Sequence, residues 1–240
     1  MSSEIFAILG VVVLVGGAAA LIISAHRTEK RRRAEYVALA ERRGWAHEFQ
    51  PSRGGQPSAV HFTDPASGAS LVVTRKITRK SGSGSTTKGG STVASLREPR
   101  LQGGLAVYTP PLDPKLAQAA SSMLGVFDNS VARFFIGRML GEEFGDHLGQ
   151  LTEQPVPAGL PLSILATVDP GPFIDAAPIA RALAASGDEK AMVMVGTQGT
   201  RLRLGRAMNE AADIERLFDT ALTLQSELGA AALSSHRLSN

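Results

Sequence analysis

The 240-residue chain contains no cysteine. That excludes disulfides, thiolate nucleophiles and every cysteine-based zinc site. Aromatic residues are scarce at 5%, with one Trp and two Tyr. The basic run 27–33 holds none of them and no recognised nucleic-acid-binding motif is present, so no nucleic-acid partner is expected.

Motifs that carry chemistry are missing as well. A P-loop needs Gly-Lys-Ser/Thr, and here Lys88 precedes Gly89. The G-x-G-x-x-G spacing fails because Thr87 stands where the third Gly belongs. Gly82-Ser83-Gly84 has no strand-to-helix turn around it that would make a nucleophile elbow. Glu142, Glu143, Asp146 and His147 cluster, with Glu143 and His147 at i, i+4, but a usable metal site needs three or four ligands. His26, His47, His61 and His236 show no paired spacing. No catalytic residue, metal or cofactor is therefore expected. Asp169 ends a predicted strand, where an acid could act, although Asp-Pro is first of all a turn signal.

Acidic charge is short in the first hundred residues. Residues 27–33 hold five basic residues against one acidic, and 34–100 hold ten against five, whereas 101–240 hold ten against fifteen. The formal net charge of +3 thus hides a basic first half and an acidic second half.

What is present is one long apolar run. Ile5 to Ala25 carries no charge over 21 residues, enough to cross a bilayer core as a helix. A cleaved signal peptide would want a basic leader, whereas Met1-Ser2-Ser3-Glu4 has no Lys or Arg. The positive charges follow the run, so the positive-inside rule predicts a single-pass inner-membrane anchor with its N-terminus outside and a cytoplasmic domain. Arg27, Lys30, Arg31, Arg32 and Arg33 are the expected contacts to anionic headgroups of the lipid bilayer. Gly16, Ala20 and Ser24 form a small-residue stripe through which two anchors could pair as a homodimer.

Beyond the anchor (1–26), the pattern divides the chain into a basic juxtamembrane helix (27–44) and a β-rich half with a flexible Gly/Ser loop at 81–90 (45–112). An amphipathic helix and connector (113–161), a β-α-β-β-α half (162–230) and a tail (231–240) follow. Trp45 either lies at headgroup level or packs under the first strands. Phe173–Ala185 and Asn209–Leu228 read as helices, and Ala191–Gly196 with Thr200–Arg206 as a hairpin. The expected class is α+β: a transmembrane helix, then antiparallel strands packed with amphipathic helices.

The post-anchor helix ending in Leu39-Ala40-Glu41-Arg42-Arg43-Gly44-Trp45, with the closing order of strand, Asp169-Pro170, helix, hairpin and terminal helix, resembles a group of uncharacterised bacterial membrane-anchored proteins. The group has no assigned activity, so the resemblance implies no functional residues. The function expected from these features is a membrane-anchored binding, scaffold or regulatory module with a protein partner. The rivals are a membrane-tethered enzyme without a motif, or a lipid or small-ligand sensor built on Phe127, Phe134 and Phe135.

Overall fold

Alternation of apolar and polar residues marks the strands that build the main sheet. Leu71 and Val73, then Thr92, Ala94 and Leu96, then Leu202 and Leu204 are buried, while the residues between them are only partly so. The computed structural model describes residues 24, 26–53, 56–81, 84–111 and 150–238. Its strands are β1 (Ala46–Gln50), β2 (Ala59–Thr63), β3 (Ser70–Thr74), β4 (Ile77–Ser81), β5 (Gly84–Lys88) and β6 (Ser91–Leu96). They continue as β7 (Ala106–Thr109), β8 (Thr152–Gln154), β9 (Ser163–Ala166), β10 (Met192–Gly196) and β11 (Gly199–Leu204). Three helices accompany them: α1 (26–43), α2 (Ala176–Ser186) and α3 (Ala211–Leu238).

Nine strands form one antiparallel sheet in the order β1-β2-β3-β6-β11-β10-β7-β9-β8, and β4 with β5 makes a separate two-stranded ribbon. Direct cross-strand partners share a face. Phe62 stands opposite Leu71, Leu71 opposite Ala94, Ala94 opposite Leu202 and Leu202 opposite Val193. That row belongs to the main core, together with Tyr36, Leu39 and Ala40 of α1, Ile179 and Leu183 of α2, and Ile214, Phe218 and Leu224 of α3. A smaller apolar cluster, Leu105, Val107, Met192 and Met194, is separate from that core. Met194 and Val107 are direct partners there.

The start of the chain's described part is welded to this sheet. Gly44 takes the left-handed conformation that ends α1, and the Trp45 N–H reaches back to the Ala40 carbonyl at 2.9 Å. The turn drives Trp45 inward, where its ring lies 4.5 Å from that of Phe218 and 6.4 Å from that of Phe62. The Tyr36 hydroxyl bonds to the Met208 and Asn209 carbonyls, and Thr92 Oγ1 donates to the Arg206 carbonyl while accepting from the Met208 N–H. Two buried hydroxyls from distant elements thereby hold the link between β11 and α3.

These contacts correct the expected class. The described residues form mainly one large antiparallel sheet with three helices, and no described helix is long and apolar enough to cross a membrane. The transmembrane, single-pass and inner-membrane assignments, and the cytoplasmic placement derived from them, are not supported. Residues 5–23 and 25, which carried those assignments, lie outside the described residues, as does all of the pairing stripe except Ser24. The first described helix, α1, is charged along much of its length, and its apolar side is committed to the core through Tyr36, Leu39 and Ala40, so the expected juxtamembrane helix is part of the folded domain.

Two segments expected as loop and connector contain strands. Gly84–Lys88, inside the expected flexible loop, pairs with Ile77–Ser81, and Thr152–Gln154, inside the expected connector, pairs with β9. The predicted helix at 113–141 lies outside the described residues, as do Phe127, Phe134, Phe135 and the Glu142–His147 cluster.

Candidate functional site

Three of the five basic residues expected to meet headgroups pair with carboxylates of their own helix. Arg31 bonds to Glu35 at 2.8 Å, Arg32 pairs with Glu29 at 3.5 Å, and Arg33 bonds to Glu29 at 3.0 Å. The Arg33 guanidinium also stacks 3.7 Å from the Phe49 ring centroid. Arg75 joins the same Glu29 carboxylate. Partial burial pushes the Glu29 carboxyl up, but its bonds to Arg75 and Arg33 outweigh this and hold it below the usual value. Arg27 and Lys30 lie on the same helix, and none of the five residues lines a cleft described here.

The cleft with unmet chemistry lies at the other end of the sheet. It measures about 350 Å³ and is lined by Tyr108 of β7, Ile164 of β9, Pro155 and Pro157 beyond β8, and the segment Asp169–Ala176 that leads into α2. The sequence dictates this segment's shape. Pro170 and Pro172 lack the N–H groups a helix would use and stiffen the chain. The Asp169 Oδ1 accepts the Gly171 N–H at 2.9 Å, an Asx turn, and the Pro170 carbonyl accepts from Phe173 and Ile174 at 2.9 Å each. Asp175 then caps α2, its Oδ1 accepting from Ala177 at 2.9 Å. The segment buries Ile174 and leaves the Phe173 ring 68% exposed.

At the base of the cleft stands Tyr108, 0% exposed. Its strand partners are Ile164 on one side and Val193 on the other, so neither neighbour offers a polar group. Among the described residues the Tyr108 hydroxyl has no hydrogen-bond partner. Burial pushes its pKa well above the ordinary tyrosine value, and the charge of Asp169 pushes it further. Asp169, the one residue singled out from sequence that lines this cleft, makes its turn and also faces the cleft with charge. Tyr108 gave no sequence signal, because its unmet hydroxyl follows from strand register.

A second cleft, about 250 Å³, is lined by Ser186, Arg206, Met208, Asp213, Arg216 and Thr220 among others. Its charges are already matched: Arg216 pairs with Asp213, and Arg206 stands 3.6 Å from Asp188. The buried unpartnered atoms His61 Nε2, Arg75 Nη2 and Gln225 Oε1 line neither cleft. Among the described residues no group of three or more His, Asp or Glu could hold a metal ion.

Both tyrosines of the chain have pKa values raised by burial. A phenol with a raised folded pKa contributes stability that is complete below the unfolded value near 10 and is lost as pH rises toward the folded value. Tyrosinate absorbance should therefore lag a free-tyrosine titration and rise together with the shift in Trp45 emission that marks unfolding. A smooth titration centred on the ordinary tyrosine pKa, with Trp45 emission unchanged, would contradict the burial of both hydroxyls.

Comparison of the chain with protein-family models, with curated proteins and with solved structures finds no match in any of the three, so the cleft's geometry is what any functional reading must rest on.

Proposed function

We propose that this chain is a binding module whose ligand enters the cleft between Tyr108, Asp169 and Phe173. One observation carries the reading: Tyr108 lines the cleft, and its fully buried hydroxyl has no hydrogen-bond partner among the described residues. Leaving a buried polar group unpaired costs about 1–3 kcal/mol, a sizeable share of a typical stability of about 5–15 kcal/mol. A ligand that completes the hydrogen bond explains why a tyrosine stands there. The volume of about 350 Å³ falls within the usual range for small-molecule sites. Pro155, Pro157, Pro170 and Pro172 give the cleft walls of low flexibility, which reduces the entropy lost on binding. No hydrogen-bonded nucleophile and base pair is among the lining residues, so the lining supports binding over turnover. A scaffold or regulatory role is the same reading with the ligand group carried on a partner chain.

Tyr108→Phe tests this, because it keeps the ring and removes only the oxygen. The variant should be more stable than wild type by about 1–2 kcal/mol in urea unfolding, since it abolishes an unmet buried hydroxyl. In a fragment screen by saturation-transfer NMR, fragments that compete for one site on wild type should bind the variant about tenfold more weakly. A destabilised variant would mean that the hydroxyl serves the fold, and the reading would fail.

A further inference from the structure

We infer that the group entering this cleft is an organic cation, a primary ammonium or guanidinium on a short apolar stem. The inference rests on the binding reading above and specifies the ligand's chemistry.

The lining contains two carboxylates, Asp169 and Asp175, and no Lys, Arg or His. Each carboxylate is fixed in orientation by its own backbone, Asp169 Oδ1 by the Gly171 N–H and Asp175 Oδ1 by the Ala177 N–H. In each, Oδ2 accepts no hydrogen bond among the described residues. An acidic pair alone would prove nothing. The independent sign of a ligand is Tyr108, which lines the same cleft and whose buried hydroxyl lies within the field of Asp169 and has no hydrogen-bond partner among the described residues. An ammonium carries three donors and no acceptor. It would donate to Asp169 Oδ2 and to the Tyr108 oxygen, and charge-assisted bonds of that kind are about twice as strong as neutral ones.

The apolar surfaces fit the same ligand. Phe173 is 68% exposed at the cleft, where a ring face attracts cations, and the proline walls with Ile164 accept a hydrocarbon stem. The opposing argument is the N-terminus of α2, whose partial positive charge favours anions. That end is already occupied, because Asp175 caps it. An anionic ligand would meet two carboxylates with no cation in the lining to offset them.

The ammonium could belong to a free amine or to a lysine side chain. The test therefore titrates the full chain, followed by NMR, with n-pentylamine, its neutral and anionic counterparts n-pentanol and pentanoate, and a capped Gly-Gly-Lys-Gly-Gly peptide. We expect pentylamine or the peptide to bind at least about tenfold more tightly than pentanol, with pentanoate weakest. Asp169→Asn should weaken the cation at least about tenfold while leaving pentanol unchanged, since the Asn oxygen can still accept the Gly171 N–H and keep the turn. Tyr108→Phe should weaken the same probes in a background that folds without the hydroxyl. A peptide that binds better than pentylamine assigns the cation to a protein partner; the reverse assigns it to a small amine. Pentanol or pentanoate binding as well as the cation, or a cation indifferent to Asp169→Asn, overturns the inference and leaves the binding reading standing. If neither these probes nor any screened fragment binds, both fall.

Discussion

Phe218→Ala should lower the unfolding free energy by about 3–5 kcal/mol, the range for removing a fully buried aromatic ring. Phe218 is 0% exposed on α3, and its ring lies 4.5 Å from that of Trp45. Trp45 in turn sits against Phe62 of β2, so the lost ring opens a cavity where the α1–β1 turn, the sheet and α3 meet. Arg42 and Arg43 of α1 also pair with Glu215 and Asp219 of α3. Those exposed pairs contribute little by comparison, and they cannot hold the helices together once the aromatic contact is lost. The sole Trp reports the result directly: urea unfolding followed by Trp45 emission should shift to a lower midpoint, with native emission already altered. Phe173→Ala is the matched control. With its ring 68% exposed, that change should alter stability by no more than about 0.5 kcal/mol. If the two substitutions cost the same, the division between core ring and cleft ring is wrong.

How much of this could be read in the sequence depends on whether the signal was local. The alternation in Leu71–Val73 and Leu202–Leu204 placed strands, because a half-buried strand writes its period directly into the residue order. The hairpin of β10 and β11 was readable for the same reason. Helix ends were less so. The residue pattern predicts the start of α2 at Phe173, but Asp175 caps the helix and it begins at Ala176, since a carboxylate that answers a free N–H sets the boundary. The residue pattern predicts the end of α3 at about Leu228, yet the helix runs on through Gly229 to Leu238, because Gly229 does not adopt the left-handed conformation that would stop it.

What sequence could not supply was partnership between distant residues. The Glu29 hub depends on Arg75, 46 positions away, and the Tyr36 hydroxyl on carbonyls more than 170 positions away. The pairs of Arg31, Arg32 and Arg33 with Glu35 and Glu29 are three or four residues apart and can be read from the residue order, whereas the part of Arg75 in the hub cannot. The cleft was half readable. Asp169-Pro170-Gly171-Pro172 announces a rigid turn, but only register puts Tyr108 between Ile164 and Val193 and so leaves its hydroxyl unpaired.

Gly199→Ala should cost on the order of 3–4 kcal/mol, from backbone strain added to a steric clash. Gly199 opens β11 directly after the two-residue turn Thr197-Gln198 and stands opposite Gly196 in the hairpin. Its φ is 115°, a conformation that side-chain-bearing residues rarely adopt. A Cβ there would also lie 2.2 Å from the Leu96 carbonyl oxygen and 2.9 Å from that of Arg97. Those are backbone atoms at the end of β6, which cannot rotate away as a side chain would. Relief requires the strand pair to part, and β6 with β11 lies at the centre of the nine-stranded sheet. Gly103→Ala separates the two causes, because Gly103 has a φ of 70° with nothing within 4 Å of the added carbon. That variant should lose only the conformational part, about 1–2 kcal/mol. The excess at Gly199 then measures the clash with β6 together with the greater strain of a φ of 115° over one of 70°. Equal losses at the two positions would mean that β6 and β11 do not approach each other as closely as the sheet requires.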